Sequence, residues 1–251
     1  MGAATIRIRV INPDGGLTRD DLAFRERRLS KAAHPDTQIS IVCPAKNEIP
    51  VDSMLDVAPD SGGILEMALA AERDAFDAVC LYCFNDPAID ACRERLTIPV
   101  VDGGQASILV AAMLGRSFSI LTTSPRRVSQ KRAFVRSTGV DASRLASVRA
   151  VPLPPGERRG VTLAAALAEQ AKRCADDDGA DVVVLGCMDF AGMAPEASAR
   201  AGVPVVDPAL VLVNMAELLV NQKLSHSKAA RLFPPEREWW RDSGFPAAKT
   251  G

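Results

Sequence analysis

Two stretches 104 residues apart follow one plan. Asp77 to Cys83 reads DAVCLYC, and Asp181 to Cys187 reads DVVVLGC. In each, an aspartate opens an apolar run and a cysteine stands six residues after it. Each is followed by a helical segment and then by a near-identical strand, IPVVDG from Ile98 and VPVVDP from Val203. The cysteine precedes the proline of that strand by 16 residues in the first copy and 17 in the second. IRIRVINP and FSILTTSP correspond as well, one opening each half. A chain built this way is expected to fold as two similar halves. The short period of a solenoid is absent.

Within each half, apolar runs alternate with helical periodicity. TIRIRVINP, TQISIVCP, FDAVCLYCF and TIPVVDGG read as strands. LTRDDLAFRERRLSKAA, SGGILEMALAAERDA and DPAIDACRERL read as helices between them, the last begun by the N-cap and first-turn pair Asp86-Pro87. The second half repeats the alternation, from the helix QASILVAAMLG and the strand SFSILTTSP to GVPVVDP and the helix ALVLVNMAELLVNQKL. The fold class is therefore α/β. It is expected to form two similar lobes of parallel sheet covered by helices, related by a pseudo-twofold axis. The expected boundaries are residues 1–102 with 206–235 for the lobe carrying Cys83, 103–205 for the lobe carrying Cys187, and 236–251 as a tail. Open parallel sheets bind ligands beyond the carboxyl ends of their strands. That rule points to the loops after Val10, Cys83, Leu121 and Cys187, with the active site expected in the cleft between the lobes.

Composition narrows the class without naming a chemistry. The 251 residues are 47% hydrophobic and 24% charged, with a net charge of −1. Such a balance gives no electrostatic case for nucleic acid or an anionic membrane. No apolar stretch reaches the length of about 20 residues that spans a bilayer. The N-terminal segment lacks the apolar core of a secretory signal, and a cytoplasmic location is expected. Six cysteines are too sparse for a disulfide scaffold.

Cys43, Cys80, Cys92 and Cys174 read as core filler inside strands or helices. Cys80 and Cys83 make a C-x-x-C spacing. On an extended strand, however, residues three apart point to opposite faces, and no second pair completes a zinc site. No metal and no cofactor are expected. Both histidines, His34 and His226, read as solvent-facing. Cys83 and Cys187 differ from the other cysteines because each ends a buried strand and precedes a polar loop. Helix N-termini and loop N–H groups favour a thiolate there. Two thiols on opposite faces of one carbon can remove a proton from one side and return it on the other.

At these residues the chain resembles the aspartate/glutamate/hydantoin racemase superfamily, and within it the hydantoin and allantoin racemase branch. The matching stretches are RVINPDGG, CFNDPAIDACRE, IPVVDGGQAS, FSILTTS, VRAVPLP, VVVLGCMDFAGM and GVPVVDP, in the family's order. The resemblance implies two flavodoxin-like lobes, with Cys83 and Cys187 as the acid/base pair. It also implies ligand contacts from the first-strand loop (Asn12 to Gly16, including Asp14), from Asn85 and Asp86, from Thr122 and Thr123, and from the backbone around Gly186 to Met188. An enolate forming beside a carbonyl needs oriented donors of this kind. The chain departs from the family at Asp14-Gly15-Gly16, at Asn85, at Gln105 and in the longer CMDFAGM, where Asp189 and Phe190 are placed to enter the pocket. The intact cysteine pair favours a racemase over the related single-cysteine arylmalonate decarboxylases.

The expected activity is thus cofactor-independent racemisation of a small molecule, a 5-substituted hydantoin, allantoin or similar cyclic ureide. The alternatives are racemisation of an amino acid of the aspartate/glutamate type, maleate-type cis–trans isomerisation, and a non-catalytic two-lobed binding protein. None of the implied pocket loops contains Lys or Arg, which favours a neutral substrate. The basic stretch SPRRVSQKRAFVR reads as a solvated helix face, with an anion site after Ser124 as the alternative, LPPGERRG as an exposed turn, and the tail with Trp239 and Trp240 as a docking segment. A homo-oligomer is expected.

Overall fold

The computed structural model describes residues 5–15, 17–44, 61–85, 87–152 and 161–229. Contacts divide the chain into two compact units. One comprises Met1–Leu81, Pro87–Val101 and Val213–Gly251; the other comprises Tyr82–Asp86 and Asp102–Leu212. Residues 82–86, which carry Cys83, and 206–212 group with the second unit, where the expected boundaries put them in the first lobe.

The first unit holds a sheet in the order β2-β1-β3-β4. Its strands are β1 (Ile6–Ile11), β2 (Thr37–Val42), β3 (Ala78–Leu81) and β4 (Val100–Asp102). β1 runs parallel to both β2 and β3. The helices are α1 (Arg19–Ala32), α2 (Ser61–Arg73) and α3 (Ile89–Arg95). Thr18 and Asp21 form a reciprocal capping box that starts α1. Ile11, Leu65, Leu69, Val79, Leu81 and Leu96 pack one core of this unit. α3 begins later than Asp86-Pro87 suggests. Its N-cap is Ala88, at a left-handed φ of 58° and without a side-chain cap, so the turn before it ends in a sharp reversal and Pro87 does not open the helix.

β4 lies at the sheet edge and is covered by the segment after the last helix. Nε2 of His226 lies 2.9 Å from Val100 N and 3.0 Å from Val100 O. Lys228 Nζ donates to the carbonyls of Arg93 and Glu94 at 2.8 and 3.1 Å, and to that of Leu96, closing the end of α3. His226 is thus half-buried against backbone, contrary to the solvent-facing reading, because an edge strand leaves polar groups that need partners. His34 is exposed as expected.

The second unit repeats the order as β6-β5-β7-β8. β5 (Phe118–Thr122) pairs in parallel with β6 (Leu145–Ala150) and β7 (Val182–Leu185), and β7 with β8 (Val205–Val206). Its helices are α4 (Gly103–Leu114), α5 (Val128–Ser137), α6 (Val161–Asp176) and α7 (Ala194–Ala201). α8 (Pro208–Asn221) leads the chain back to the first unit. Among the described residues no helix is long and apolar enough to cross a membrane.

The repeated aspartates have a structural use at the opposite end of the strands from the cysteines. Asp77 accepts from Arg7 N at 2.7 Å, and its own N–H donates to Arg7 O at 2.8 Å. Asp181 accepts from Arg116 N and Ser117 N at 2.8 and 3.0 Å. Each carboxylate satisfies N–H groups at the start of its sheet's central strand, groups the ladder leaves open. The strands after the cysteines match too: Val79 N donates to Pro99 O and Val183 N to Pro204 O, both at 3.0 Å. The aspartates of the VVDG and VVDP turns cap the starts of α4 and α8. Asp102 accepts from Gln105 N at 2.6 Å, and Asp207 accepts from Ala209 N at 2.9 Å.

Glycine at 186 answers to a close approach. Its N–H donates to Leu121 O at 2.7 Å, and a Cβ there would meet that same oxygen at 2.5 Å. The Leu121 carbonyl is sheet backbone that cannot yield, and Ile120 Cγ2 would stand 2.6 Å away as well. Gly186→Ala is expected to lower unfolding free energy by about 1–3 kcal/mol, as overpacking does, read by urea denaturation. The Asp181 carboxyl is held below its ordinary pKa, chiefly by the Ser117 and Arg116 N–H groups. A depressed carboxyl stabilises the fold above its unfolded value of about 3.9 and loses that contribution as pH falls through the folded value. Asp181→Asn should therefore lower the melting temperature at pH 7 and shrink the acid-side fall in melts taken from pH 6 to pH 3.

Candidate active site

Cys83 and Cys187 occupy equivalent positions. β3 ends at Leu81 and β7 at Leu185, and each cysteine is the second residue beyond. Leu81 pairs with Ile11 of β1 as Leu185 pairs with Leu121 of β5. In both sheets the strand order reverses between these partners, which is where open parallel sheets leave a crevice for ligand. Both thiols are half-buried. The other cysteines fit the filler reading in three cases. Cys80, Cys92 and Cys174 are fully buried, and burial pushes the thiol of Cys92 up to about 12 and that of Cys174 up to about 11. Cys43 instead lies just beyond β2 and is half-buried, because the strand ends at Val42.

The turns carrying the two cysteines meet within the second unit. The Tyr82 hydroxyl donates to Met188 O at 3.2 Å, joining the residue before Cys83 to the residue after Cys187. Gly103, at the start of α4, makes room for both. A Cβ there would lie 2.1 Å from Met188 Cε and 3.5 Å from Cys83 O. Phe84 is buried in the core of this unit with Ile108, Phe118, Val135 and Val182, and its ring stands 5.7 Å from that of Phe134. Burying a phenylalanine contributes about 1.5–3 kcal/mol, enough to anchor the turn that presents Cys83.

Around Cys83, the Asn85 N–H points to Sγ at 3.5 Å, and Asn85 Oδ1 accepts from Lys131 Nζ at 2.8 Å. Around Cys187, Met188–Phe190 make a single 3-10 turn with Cys187 as its N-cap. Asp207 accepts from Gly192 N at 2.5 Å and so holds the loop after that turn. The Cys187 thiol is pushed up to about 11. Burial is the main cause and the Asp189 carboxylate adds to it, while the Asp189 N–H, Lys131 and Arg127 pull the other way.

The remaining expected residues divide. Thr122 and Thr123 stand at the end of β5, Thr122 as its last residue and Thr123 directly after it. Thr122 is fully buried, and its Oγ1 has no hydrogen-bond partner among the described residues. A buried hydroxyl left unpaired is costly, and a bound ligand is one way to satisfy it. The Gly186 N–H is taken by Leu121 O, so of the amides from 186 to 188 this one is committed to the sheet. Asn12 and Asp14 lie in the first unit, after β1. Asn12 is buried, its Nδ2 donating to Asp14 O at 3.2 Å and its Oδ1 accepting from Arg25 at 3.4 Å. Gly16, Asp86, the LPPGERRG turn beyond Leu153 and the tail with Trp239 and Trp240 lie outside the described residues.

Two sequence readings change here. The SPRRVSQKRAFVR stretch is not wholly a solvated face: Lys131 is 0% exposed and Arg127 is 9% exposed. Nor is the site without a cation, since Lys131 reaches Asn85 and lies 4.1 Å from the Phe84 ring centroid. The pattern held a signal. Lys131 stands three residues after Val128 and four before Val135, on the apolar face of α5. Reading the stretch by its charge alone obscured that. Among the described residues, no cluster of three or more His, Cys, Asp or Glu is placed to hold a metal ion.

A family model described as Asp/Glu/Hydantoin racemase matches residues 8–216. A hydantoin racemase from Pseudomonas sp. (strain NS671) is 30% identical over 235 residues, covering 93% of each chain. Allantoin racemase from Klebsiella pneumoniae superposes with a TM-score of 0.83 at 31% identity, covering 92% of this chain and 94% of its own. Allantoin racemase from Pseudomonas fluorescens does so with a TM-score of 0.79 at 29% identity, covering 92% and 98%. With two parallel α/β sheets, paired cysteine turns and these relatives, the chain belongs to the Asp/Glu/hydantoin racemase family, in its hydantoin/allantoin branch, and is an isomerase of the racemase type.

Proposed function

We propose that this chain racemises a 5-substituted hydantoin, allantoin or similar cyclic ureide without a cofactor, using Cys83 and Cys187 as two bases. The observation that carries the reading is the Tyr82–Met188 hydrogen bond, which ties together the turns of both cysteines. The relatives named hydantoin racemase and allantoin racemase support the substrate class. The ring proton beside a carbonyl is acidic enough for a thiolate base. One thiolate takes that proton, and the electron pair passes into the carbonyl as an enolate. The opposite thiol returns a proton to the other face of the carbon. The two cysteines end with their protonation states exchanged, ready for the reverse direction. In this reading the Thr122 hydroxyl, buried at the strand end with no hydrogen-bond partner among the described residues, donates to the enolate oxygen.

Burial and the neighbouring Asp189 carboxylate favour the protonated form of Cys187. We read Cys187 as the resting thiol and Cys83 as the base that takes the first proton. For the first prediction, single enantiomers of hydantoins, allantoin, aspartate and glutamate are incubated in deuterium oxide, following optical rotation and deuterium at the stereogenic carbon. A cyclic ureide should exchange and racemise, and Cys83→Ser and Cys187→Ser should each lower the rate by at least about a thousandfold, as loss of an essential proton carrier does. Near-full activity in either variant rules out the two-thiol mechanism, and exchange of the amino acids alone rules out the ureide. For the second, peptide-resolved alkylation with iodoacetamide should show Cys187 gaining reactivity only above about pH 9, since its thiol is raised above the ordinary value of about 8.5. A midpoint near neutrality would reverse the assignment.

A further inference from the structure

α5 carries a feature that acid/base chemistry by two thiols does not require. Lys131 is a charged side chain with no exposed area, on a helix face otherwise given to Val128 and Val135. Burying an ammonium is unfavourable unless it gains compensating partners. A methionine would fill the same space without that cost.

Part of the compensation comes from the residues next to Cys83. Nζ donates to Asn85 Oδ1 at 2.8 Å and lies 4.1 Å from the centre of the Phe84 ring, whose π face attracts a cation. Phe84 and Asn85 are the two residues directly after Cys83, and the Asn85 N–H is the group aimed at its sulfur, 3.5 Å away. One side chain therefore grips both residues of the turn that presents the thiol. The charged groups acting on Cys187 come from two elements. Lys131 and Arg127 belong to α5 and the turn before it, and Asp189 belongs to the turn after Cys187. Asp189 raises the Cys187 thiol while Lys131 and Arg127 lower it, and the lysine is in addition hydrogen-bonded into the Cys83 turn.

Resting on the two-thiol reading, we propose that Lys131 is a positioning residue for the racemase reaction. Its buried ammonium orients Asn85 so that the backbone N–H meets Cys83 Sγ, and its charge holds Cys83 as the resting thiolate. The opposite thiol, beside the Asp189 carboxylate, stays protonated. The pair is thereby set in the one-thiolate, one-thiol state that each turnover needs.

The test uses the full chain with Lys131→Met, Lys131→Gln and Lys131→Arg, checked for folding by thermal melts. Alkylation of the Cys83 peptide by iodoacetamide is followed from pH 5 to pH 10 and needs no substrate. In Lys131→Met the Cys83 midpoint should rise by about one pH unit, which is about tenfold less thiolate at any pH below both midpoints. Lys131→Gln should do the same, since it keeps a donor for Asn85 but carries no charge, and Lys131→Arg should return most of the shift. With a substrate, the acid limb of the kcat profile should move up in parallel, with KM little changed and activity regained at high pH. A Cys83 midpoint unmoved in folded Lys131→Met, or in Lys131→Gln if the methionine variant does not fold, overturns the proposal. A uniform loss at all pH values overturns it too, because that marks a merely structural lysine. If wild type racemises no ureide, the function reading falls, while the Cys83 midpoints still decide the role of Lys131.

Discussion

The geometry of the candidate site depends on how the turn after β3 is held. Leu81 ends the strand, and the next residues leave the first unit's core for that of the second. Phe84 supplies the apolar anchor, and the Tyr82 hydroxyl supplies a directional bond to Met188 O. Between them stands Cys83, fixed on both sides. The same contact reaches the turn of Cys187, so one short segment sets both thiols within one compact unit. Gly103 permits this, because any side chain there would displace Met188.

The repeat serves two unlike purposes at opposite ends of the same strands. At the amino end, Asp77 and Asp181 satisfy the backbone where the central strands begin, and the motif is structural. At the carboxyl end the cysteines stand free of the ladder, where loops can differ. There the two halves diverge. Cys83 is followed by an aromatic anchor and an amide bonded to a lysine, and Cys187 by a 3-10 turn carrying a carboxylate. In the proposed two-thiol reaction one cysteine must hold the proton while the other is able to accept one. A symmetric scaffold with asymmetric surroundings meets both needs.

The alternation of strand and helix was legible from periodicity, and the order of elements agrees closely with it among the described residues. Boundaries shifted where turn chemistry intervened. Asp86-Pro87 resembles a helix start, yet Ala88 takes the left-handed turn and the helix begins at Ile89. His226 looked solvent-facing because its neighbours are polar. It is held by the open edge of β4, a partner 126 residues away in sequence. Arg126 to Arg136 looked like a charged surface because a run of basic residues usually is. The helical spacing of Val128, Lys131 and Val135 carried the contrary message.

The sequence by itself determined the two-half architecture and singled out Cys83 and Cys187, since a duplicated strand pattern leaves its mark wherever the same backbone must be built twice. Only the tertiary structure decided which core receives the Cys83 turn, why residue 186 must be glycine, and which amides are already committed. It alone placed a lysine 48 residues further along the chain against that turn. Those outcomes depend on burial and on partners distant in sequence, and a charge read from its neighbours in the chain gives no measure of the medium in which it will sit.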